Sequence, residues 1–209
     1  MRTKGKSIKW ERVAIHIVAW GAGLVWIIPF MGILMASIRP QKELIHGWWN
    51  LSEVHISFEN FLLAWNHPTS PIGQGLQNSL IVTIPATILP LIIATFAAYG
   101  LLRLHFPGSK VILVGIVLLL SIPQQMVAVP LFQTLLNMGI LNTYTGLIVT
   151  HTAWGLIWIT IFMRNYLTTL PVEAEEAASI DGASRFQIFF KIVLPLSLPG
   201  LASVAALQF

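Results

Sequence analysis

The stretch EAEEAASIDGASRFQIFFKIVLPLSLP, from Glu173 to Pro199, places three acids and a glycine turn in a chain that is otherwise mostly apolar. Its first half predicts a helix that begins near Pro171, because the first helical position does not need an N–H and acids are favoured in the first turns. Ala177-Ala178 continues this helix and leaves a surface of little bulk. Asp181-Gly182 ends it, since glycine readily adopts the left-handed backbone conformation.

The second half of the stretch predicts another helix from Ser184, because Gln187 follows three residues later and the two can form a capping box. Phe186 and Phe189 lie on its apolar face, and Leu194-Pro195 is expected to close it and to open the next membrane segment. The smooth surface and the aromatic residues are expected to pack against another surface. Two interpretations remain: an interfacial hairpin covered by the chain's own spans, or a surface that fits a groove on a soluble partner.

The composition indicates an integral membrane protein. Of the 209 residues, 56% are hydrophobic and only 10% are charged, and the mean hydropathy is +0.76. A soluble domain has about 25% charged residues, so this chain has too few charges to cover a surface that faces water. The absence of cysteine excludes disulfides and thiolate metal sites.

Four segments are long and apolar enough to cross a membrane, which needs ~20 residues. They are predicted at about residues 13–38, 79–102, 111–131 and 146–163, after a basic N-terminal segment at 1–12 and before a polar loop at about 164–195. The last apolar segment, residues 196–209, is too short to span at ~1.5 Å per residue. We therefore expect a chain truncated within a fifth span. The predicted class is all-α, a polytopic helical membrane protein.

The positions of lysine and arginine predict the orientation. Ten of the twelve basic residues precede span one, lie between spans two and three, or follow span four. Only Arg39 and Lys42 lie on the opposite side if the helices alternate. The N-terminus and the loop at 164–195 are therefore predicted to be cytoplasmic.

A longer pattern covers the same loop. Glu176-Ala177-Ala178, Gly182, Ile192 and Leu194-Pro195 follow the spacing EAA, three residues, G, nine residues, I-x-L-P. This resembles the cytoplasmic signature of ABC importer permeases. The stretches SIRPQKEL, PQQMVAVPLF and LNTYTGLI resemble the carbohydrate branch, the second permease subunit of the maltose-transporter type. The resemblance covers essentially the whole chain and implies the type I importer fold, with six helices in the full-length protein.

The resemblance also implies a function and partners. The chain would be one permease subunit of a binding-protein-dependent sugar importer in the cell membrane, without catalytic residues, metal or cofactor of its own. Its partners would be a homologous permease, two ATP-binding subunits that hold ATP and Mg²⁺, and an external sugar-binding protein. The loop would insert into the ATPase through coupling helices. The resemblance implies contacts at Glu176, Ala177, Ala178, Gly182 and Ala183, with Phe186 packing at the turn and Asp181 shaping it.

Two further sets of residues are candidates for the substrate pathway. His151, Trp154 and Trp158 share one helical face, where aromatic rings can stack on sugars, although helix packing or an interfacial aromatic belt is the favoured interpretation. Gln124 and Gln125 are polar amides at membrane depth, which must face either a cavity or a neighbouring helix. Both interpretations remain open for the glutamines.

Other functions are weighed against particular residues. The six histidines show no metal-ligand spacing, and no G-x-x-x-x-G-K-[ST] loop is present, so this chain is not the ATPase. An ion-gradient-driven secondary transporter usually keeps ionisable groups in its spans, whereas spans two to four contain no Asp or Glu. No cluster of catalytic groups indicates a membrane enzyme. A non-sugar solute, such as a glycerol phosphodiester or a polyamine, remains an alternative substrate.

Overall fold

The computed structural model describes residues 10–52, 54–104 and 106–209, and all the regular structure in these ranges is helical. Residues 1–9 of the predicted basic segment lie outside the described residues. The chain divides into two compact units, Met1–Leu76 and Gln77–Phe209. Its elements are α1 (Trp10–Ile38), α2 (Gln41–Leu44), α3 (Glu59–Trp65), α4 (Ile72–Arg103), α5 (Ser109–Leu120), α6 (Gln124–Asn137), α7 (Tyr144–Leu167), α8 (Val172–Ile180), α9 (Arg185–Ile188), a π-helical turn (Phe189–Val193) and α10 (Leu194–Gln208).

The predicted spans at residues 13–38, 79–102 and 146–163 correspond to α1, α4 and α7. Each observed helix is longer than the apolar segment that predicted it. The largest difference is at α4, which begins at Ile72 rather than near residue 79, because polar residues such as Gln74 and Asn78 continue the helix beyond its apolar part. By length and composition, four helices of the described residues can cross a membrane, or up to five spans if the bent α5–α6 pair counts as one.

The predicted span over residues 111–131 is divided into two helices in the structure. The segment forms α5 and α6, which are bent by 102° at the break between Leu120 and Gln124. Pro123 has extended backbone angles, φ −61° and ψ 130°. A proline disfavours helical conformation in the residue before it and cannot donate a backbone hydrogen bond. The Ser121-Ile122-Pro123 sequence therefore ends one helix and starts another.

The bent pair nevertheless carries the chain from one end of the second unit to the other. The Tyr144 hydroxyl at the start of α7 donates to Asn78 Oδ1 near the start of α4, at 2.7 Å. At the opposite ends, Arg103 Nη2 of α4 donates to the carbonyl of Leu167 in α7, at 3.4 Å. Because α4 and α7 therefore run in the same direction, α5 and α6 must together return the chain between them.

The core of the second unit is built by α4, α7 and the segment from Ile188 to α10. Small residues let the helices approach closely: a Cβ on Gly200 of α10 would lie 2.7 Å from ring atoms of Tyr166 in α7. At the end of α10, Gln208 accepts a hydrogen bond from Trp158 Nε1 of α7 and donates to the carbonyl of Ala86 in α4. Such small-residue contacts and interhelical amide bonds are the main ways in which helices associate in a bilayer. The buried apolar residues are Ala94, Ala98, Tyr99, Ile159, Met163, Leu167, Ile188, Phe189, Val193 and Val204.

The expectation that Leu194-Pro195 would close one helix and open the next is wrong, because the helical segment runs from Arg185 to Gln208 without a break. Proline cannot bond to the carbonyl four residues earlier, and its ring crowds that carbonyl. The π turn over Phe189–Val193 ends two residues before Pro195, where a wider turn gives the chain room for the ring. The last span therefore begins well before residue 196, inside the segment assigned to the polar loop.

The loop between the first two spans folds back onto the end of α1. Asn60 donates to the carbonyls of Ala36 and Arg39, at 2.9 and 2.7 Å, and the Ser57 N–H bonds the carbonyl of Ile38. These bonds satisfy carbonyls that a helix end leaves without partners.

A polar cluster fixes the same loop. The buried side chain of Arg39 bonds Glu43 Oε2 at 3.2 Å and the carbonyl of Asn50 at 2.9 Å. Glu43 Oε1 lies 2.8 Å from Nδ1 of His55.

This cluster predicts that acid loosens the loop. Burial acts to raise the pKa of Glu43, but hydrogen bonds from His55 and Arg39 outweigh it and hold the pKa below the ordinary value of 4.5. A lowered pKa in the folded state stabilises the fold above the ordinary pKa, and this contribution is lost as pH falls from 4.5 through the folded value. Hydrogen exchange of residues 54–60, corrected for the intrinsic rate, should therefore accelerate below pH 4.5.

Glu43→Gln is expected to flatten this pH dependence, whereas Glu59→Gln should leave it unchanged, because Glu59 is exposed. An acid-sensitive loop in Glu43→Gln would contradict the assignment of the effect to Glu43.

Candidate functional site

The turn between α8 and α9 is a helix-ending motif closed by backbone bonds. Gly182 has φ +83°, in the left-handed region. Its N–H bonds the carbonyl of Ser179, and the N–H of Ala183 bonds the carbonyl of Ala178. This is the double bonding pattern of the Schellman motif, and it confirms that Asp181-Gly182 ends the first helix. Pro171 lies one position earlier than predicted, since it precedes the first helical residue, Val172.

The start of α9 is fixed by side chains. Ser184 Oγ accepts from the N–H of Gln187, and Gln187 Oε1 accepts from the N–H of Ser184, at 3.3 and 2.7 Å. The predicted capping box is therefore confirmed. With both helix ends satisfied within the chain, the turn has a defined shape that does not depend on a partner.

Much of this hairpin is exposed. Here the α8–α9 surface denotes Glu176, Ala177, Ala178, Ile180, Asp181, Gly182, Ala183 and Phe186. Ile180 and Phe186 are 87% and 73% exposed, while Ala178 and Ala183 are half-buried against the core. A hollow of about 450 Å³ lies beside Gly182, Gln187 and Lys191. An exposed Ile180 beside a smooth, closed turn is suited to a protein groove. Phe186 lines a separate hollow of about 130 Å³ with Tyr99 and Leu104 near the end of α4.

Ile180 was not singled out from the sequence, although it is the most exposed apolar side chain of this surface. Its helical spacing from Glu173, Glu176 and Ala177 could have indicated it, because residues three, four and seven apart share one face.

Glu175 plays a different part from the other two acids of α8. Glu173 and Glu176 are exposed, whereas the Glu175 side chain is only 6% exposed. Glu175 Oε1 accepts from Arg103 at the end of α4, at 2.9 Å from Nε and 2.8 Å from Nη2. No sequence pattern predicts a partner for Arg103, whose charge contributes only to the predicted orientation. The two residues are 72 positions apart.

The candidate pathway residues are dispersed around α7 and the start of α6. His151 is exposed, while Trp154 lines an apolar hollow of about 300 Å³ with residues of α5 and α6. Trp158 is hydrogen-bonded to Gln208 of α10. Gln124 and Gln125 are exposed at the start of α6. The structure thus gives helix contacts to the two tryptophans and leaves the other three residues accessible; their role in a pathway stays a prediction.

Among residues 10–52, 54–104 and 106–209, no group of three or more His, Asp or Glu side chains is placed to hold a metal ion. His105 lies outside these ranges.

Comparison with known proteins places these features in a family. Residues 90–209 match the model described as "Binding-protein-dependent transport system inner membrane component". A probable ABC transporter permease protein of Pyrococcus horikoshii is 55% identical over 93% of this chain and 70% of its own length. An osmoprotective compounds uptake permease protein of Synechocystis is 35% identical, over 99% of this chain and 71% of its own.

Two further matches extend the comparison. A diacetylchitobiose uptake system permease protein of Streptomyces coelicolor is 36% identical, over 92% of this chain and 62% of its own length. The fold matches a chain in the crystal structure of a bacterial ABC transporter involved in the import of the acidic polysaccharide alginate, with a TM-score of 0.83 and 23% identity. The match covers 100% of this chain and 72% of that one, so the two chains share a helical fold.

Proposed function

The chain belongs to the family of inner-membrane components of binding-protein-dependent transport systems, and from this premise we propose that it is the permease subunit of an ATP-driven sugar importer. In this role the chain forms half of a translocation pathway and crosses the membrane several times. The family membership favours this function over that of an ion-gradient-driven secondary transporter.

The main structural support for the proposal is the exposure of the α8–α9 surface. Ile180 and Phe186 are exposed on a hairpin whose helix ends are already satisfied internally. A closed hairpin of this kind is ready to bind without first folding, so little ordering entropy opposes its association. We assign this surface to the contact with a separate ATP-hydrolysing subunit. Asp181 shapes the turn, and the contact residues in this assignment are Glu176, Ala177, Ala178, Gly182, Ala183 and Phe186.

In this assignment ATP and Mg²⁺ belong to the partner. The sequence contains no phosphate-binding G-x-x-x-x-G-K-[ST] loop, so the chemical step lies in the ATP-binding subunits and the permease supplies the moving pathway. Two such subunits, a homologous second permease and an external sugar-binding protein complete the proposed transporter. The bias of lysine and arginine supports a cytoplasmic N-terminus and a cytoplasmic α8–α9 surface.

The substrate class is proposed from the relatives. The Streptomyces coelicolor protein is named for diacetylchitobiose uptake, and the matching crystal structure is of a transporter involved in alginate import. Both are carbohydrates, which supports a saccharide as the solute. Gln124, Gln125, His151, Trp154 and Trp158 remain the candidates for contact with it, as hydrogen-bonding amides and stacking rings.

The proposed coupling can be tested by co-purification with the cognate ATPase from detergent-solubilised membranes. Gly182→Asp is expected to lower the retained ATPase roughly 30-fold, because a charge buried in a packed interface costs ~2 kcal/mol or more. Phe186→Ala should weaken retention as well, since it removes an exposed anchor. Wild type and variants are compared at equal membrane insertion.

Gly108→Asp provides a matched control. Gly108 also has a positive φ, +91°, and, as at Gly182, a Cβ there would meet nothing within 4 Å. The two substitutions therefore impose the same backbone strain and the same charge at different surfaces. Equal retention by Gly182→Asp and Gly108→Asp, or no retention by wild type, would refute the assignment of the α8–α9 surface to the ATPase.

A further inference from the structure

The pairing of Arg103 with Glu175 joins the end of a membrane helix to the base of the α8–α9 hairpin. Both Nε and Nη2 of Arg103 converge on one carboxylate oxygen of Glu175, at 2.9 and 2.8 Å. The two side chains are 18% and 6% exposed. Within residues 77–104 and 106–209, the described part of this unit, it is the only ion pair.

The same guanidinium also bonds the end of α7. Arg103 Nη2 donates to the carbonyl of Leu167, which is 1% exposed and lies in the last helical turn, where carbonyls lack helical partners. A cation at a helix C-terminus and an acid in the first turn of α8 are each favoured by the helix dipoles. Arg103 therefore lies where the ends of α4 and α7 and the start of α8 meet.

The chain itself gives α8 only a short tether. Four residues, 168–171, connect α7 to α8, and the backbone N–H groups of Thr168, Thr169 and Leu170 bond to carbonyls of α7 rather than of α8. A force applied to the α8–α9 surface would then turn the hairpin on its tether unless another contact resists it. A buried charged pair resists such rotation, because separating it leaves two uncompensated charges.

We infer that Arg103 and Glu175 are positioning residues for coupling: their ion pair fixes α8 to the ends of α4 and α7, so that a displacement of the hairpin moves the membrane helices with it. The inference rests on the proposed contact with an ATPase. It assigns Glu175 and Glu176 distinct roles: Glu175 faces the membrane helices, and Glu176 faces the partner. Loss of the pair should uncouple the helices without removing the partner.

The chain has no cysteine, so two introduced cysteines can report the distance between α8 and α4. Ser179 is exposed on α8, and the exposed Leu104 follows α4 with its N–H bonded to the carbonyl of Gly100. Spin labels at Ser179→Cys and Leu104→Cys are measured in the purified chain with its cognate ATPase, without nucleotide and after trapping with ATP and vanadate. With Arg103 and Glu175 intact, one narrow distance is expected in both states.

Arg103→Gln should retain the ATPase and still roughly double the width of the distance distribution, since α8 is then held mainly by its tether and its apolar contacts. The trapped state should also shift the mean distance, which it does not do with the pair intact. Arg103→Lys, which keeps the charge on a single donor nitrogen, should restore most of the narrow distribution. Glu173→Gln, in the same first turn but exposed, should behave like the parent.

If Arg103→Gln aggregates, the double variant Arg103→Gln with Glu175→Gln supplies the test, because it buries no unpaired charge. A narrow, unshifted distance in the variant that folds would overturn the inference. A parent chain that retains no ATPase would refute the proposed function instead, while the nucleotide-free distance distributions would still decide whether the pair holds α8.

Discussion

Gly200→Val is expected to lower the melting temperature of the detergent-solubilised chain by about 4–8 °C, which corresponds to ~2 kcal/mol for a chain of this length. A Cβ at Gly200 would lie 2.7 Å from Cδ1 and Cγ of the Tyr166 ring. Cγ is the fixed base of the ring, so Tyr166 cannot avoid the contact by moving only its far end. Because α10 and α7 pack directly at this point, the two helices must separate.

The effect is attributed to packing rather than to helix propensity. Replacing glycine within a helix otherwise gains up to ~1 kcal/mol for a better helix former, so the expected loss has the opposite sign. Gly115→Val in α5 is the matched control, since a Cβ there meets nothing within 4 Å. Equal melting temperatures for Gly200→Val and Gly115→Val, measured by scanning fluorimetry and checked by size exclusion, would contradict the close packing of α10 on α7.

Local rules predicted much of the α8–α9 hairpin. Gly182 was expected to take the left-handed conformation, and Ser184 and Gln187 were expected to form a capping box. Both are confirmed because each depends on residues no more than about four positions apart. Three of the spans were located for a similar reason: hydropathy over ~20 residues averages out the details of packing.

Features that depend on distant residues were not predictable in this way. All three acids at 173, 175 and 176 favour the start of a helix, and helical spacing alone does not show which one faces Arg103. The close approach of Gly200 to Tyr166 depends on how α7 and α10 pack, which their separate patterns do not fix. Pairing and packing of this kind are set by tertiary structure.

At two prolines the continuity of the helix differs from the sequence-based expectation. Ser121-Ile122-Pro123 lies inside the predicted span at 111–131, yet the chain bends there by 102°. Leu194-Pro195 predicts a break, yet the helix continues through it after a π turn. Proline removes one N–H and crowds one carbonyl in both places. Whether the helix ends or widens depends on the surrounding packing: near Pro195 the preceding turn carries the core residues Phe189 and Val193, whereas Pro123 and its neighbours are exposed.

The second large effect is expected for Arg39→Met in the loop between the first two spans. Arg39 is 1% exposed, and its Nη1 bonds the carbonyls of Trp48 and Asn50, at 3.3 and 2.9 Å. Methionine fills a similar volume without a donor, so both carbonyls lose their bond. At ~1–3 kcal/mol for each buried unsatisfied group, a total of ~3 kcal/mol is expected, which corresponds to roughly 100-fold faster hydrogen exchange in residues 47–60.

The carboxylate of Glu43 makes the loss larger, because removing Arg39 leaves this acid with His55 as its remaining side-chain partner in the described residues. Lys42→Met is the matched control: it removes the same charge from the neighbouring exposed side chain and should leave exchange within about threefold of wild type, as surface substitutions usually do. If Arg39→Met and Lys42→Met exchange at the same rate, Arg39 does not hold the loop. In that case the bonds of Asn60 and Ser57 to the end of α1 would suffice to fix it.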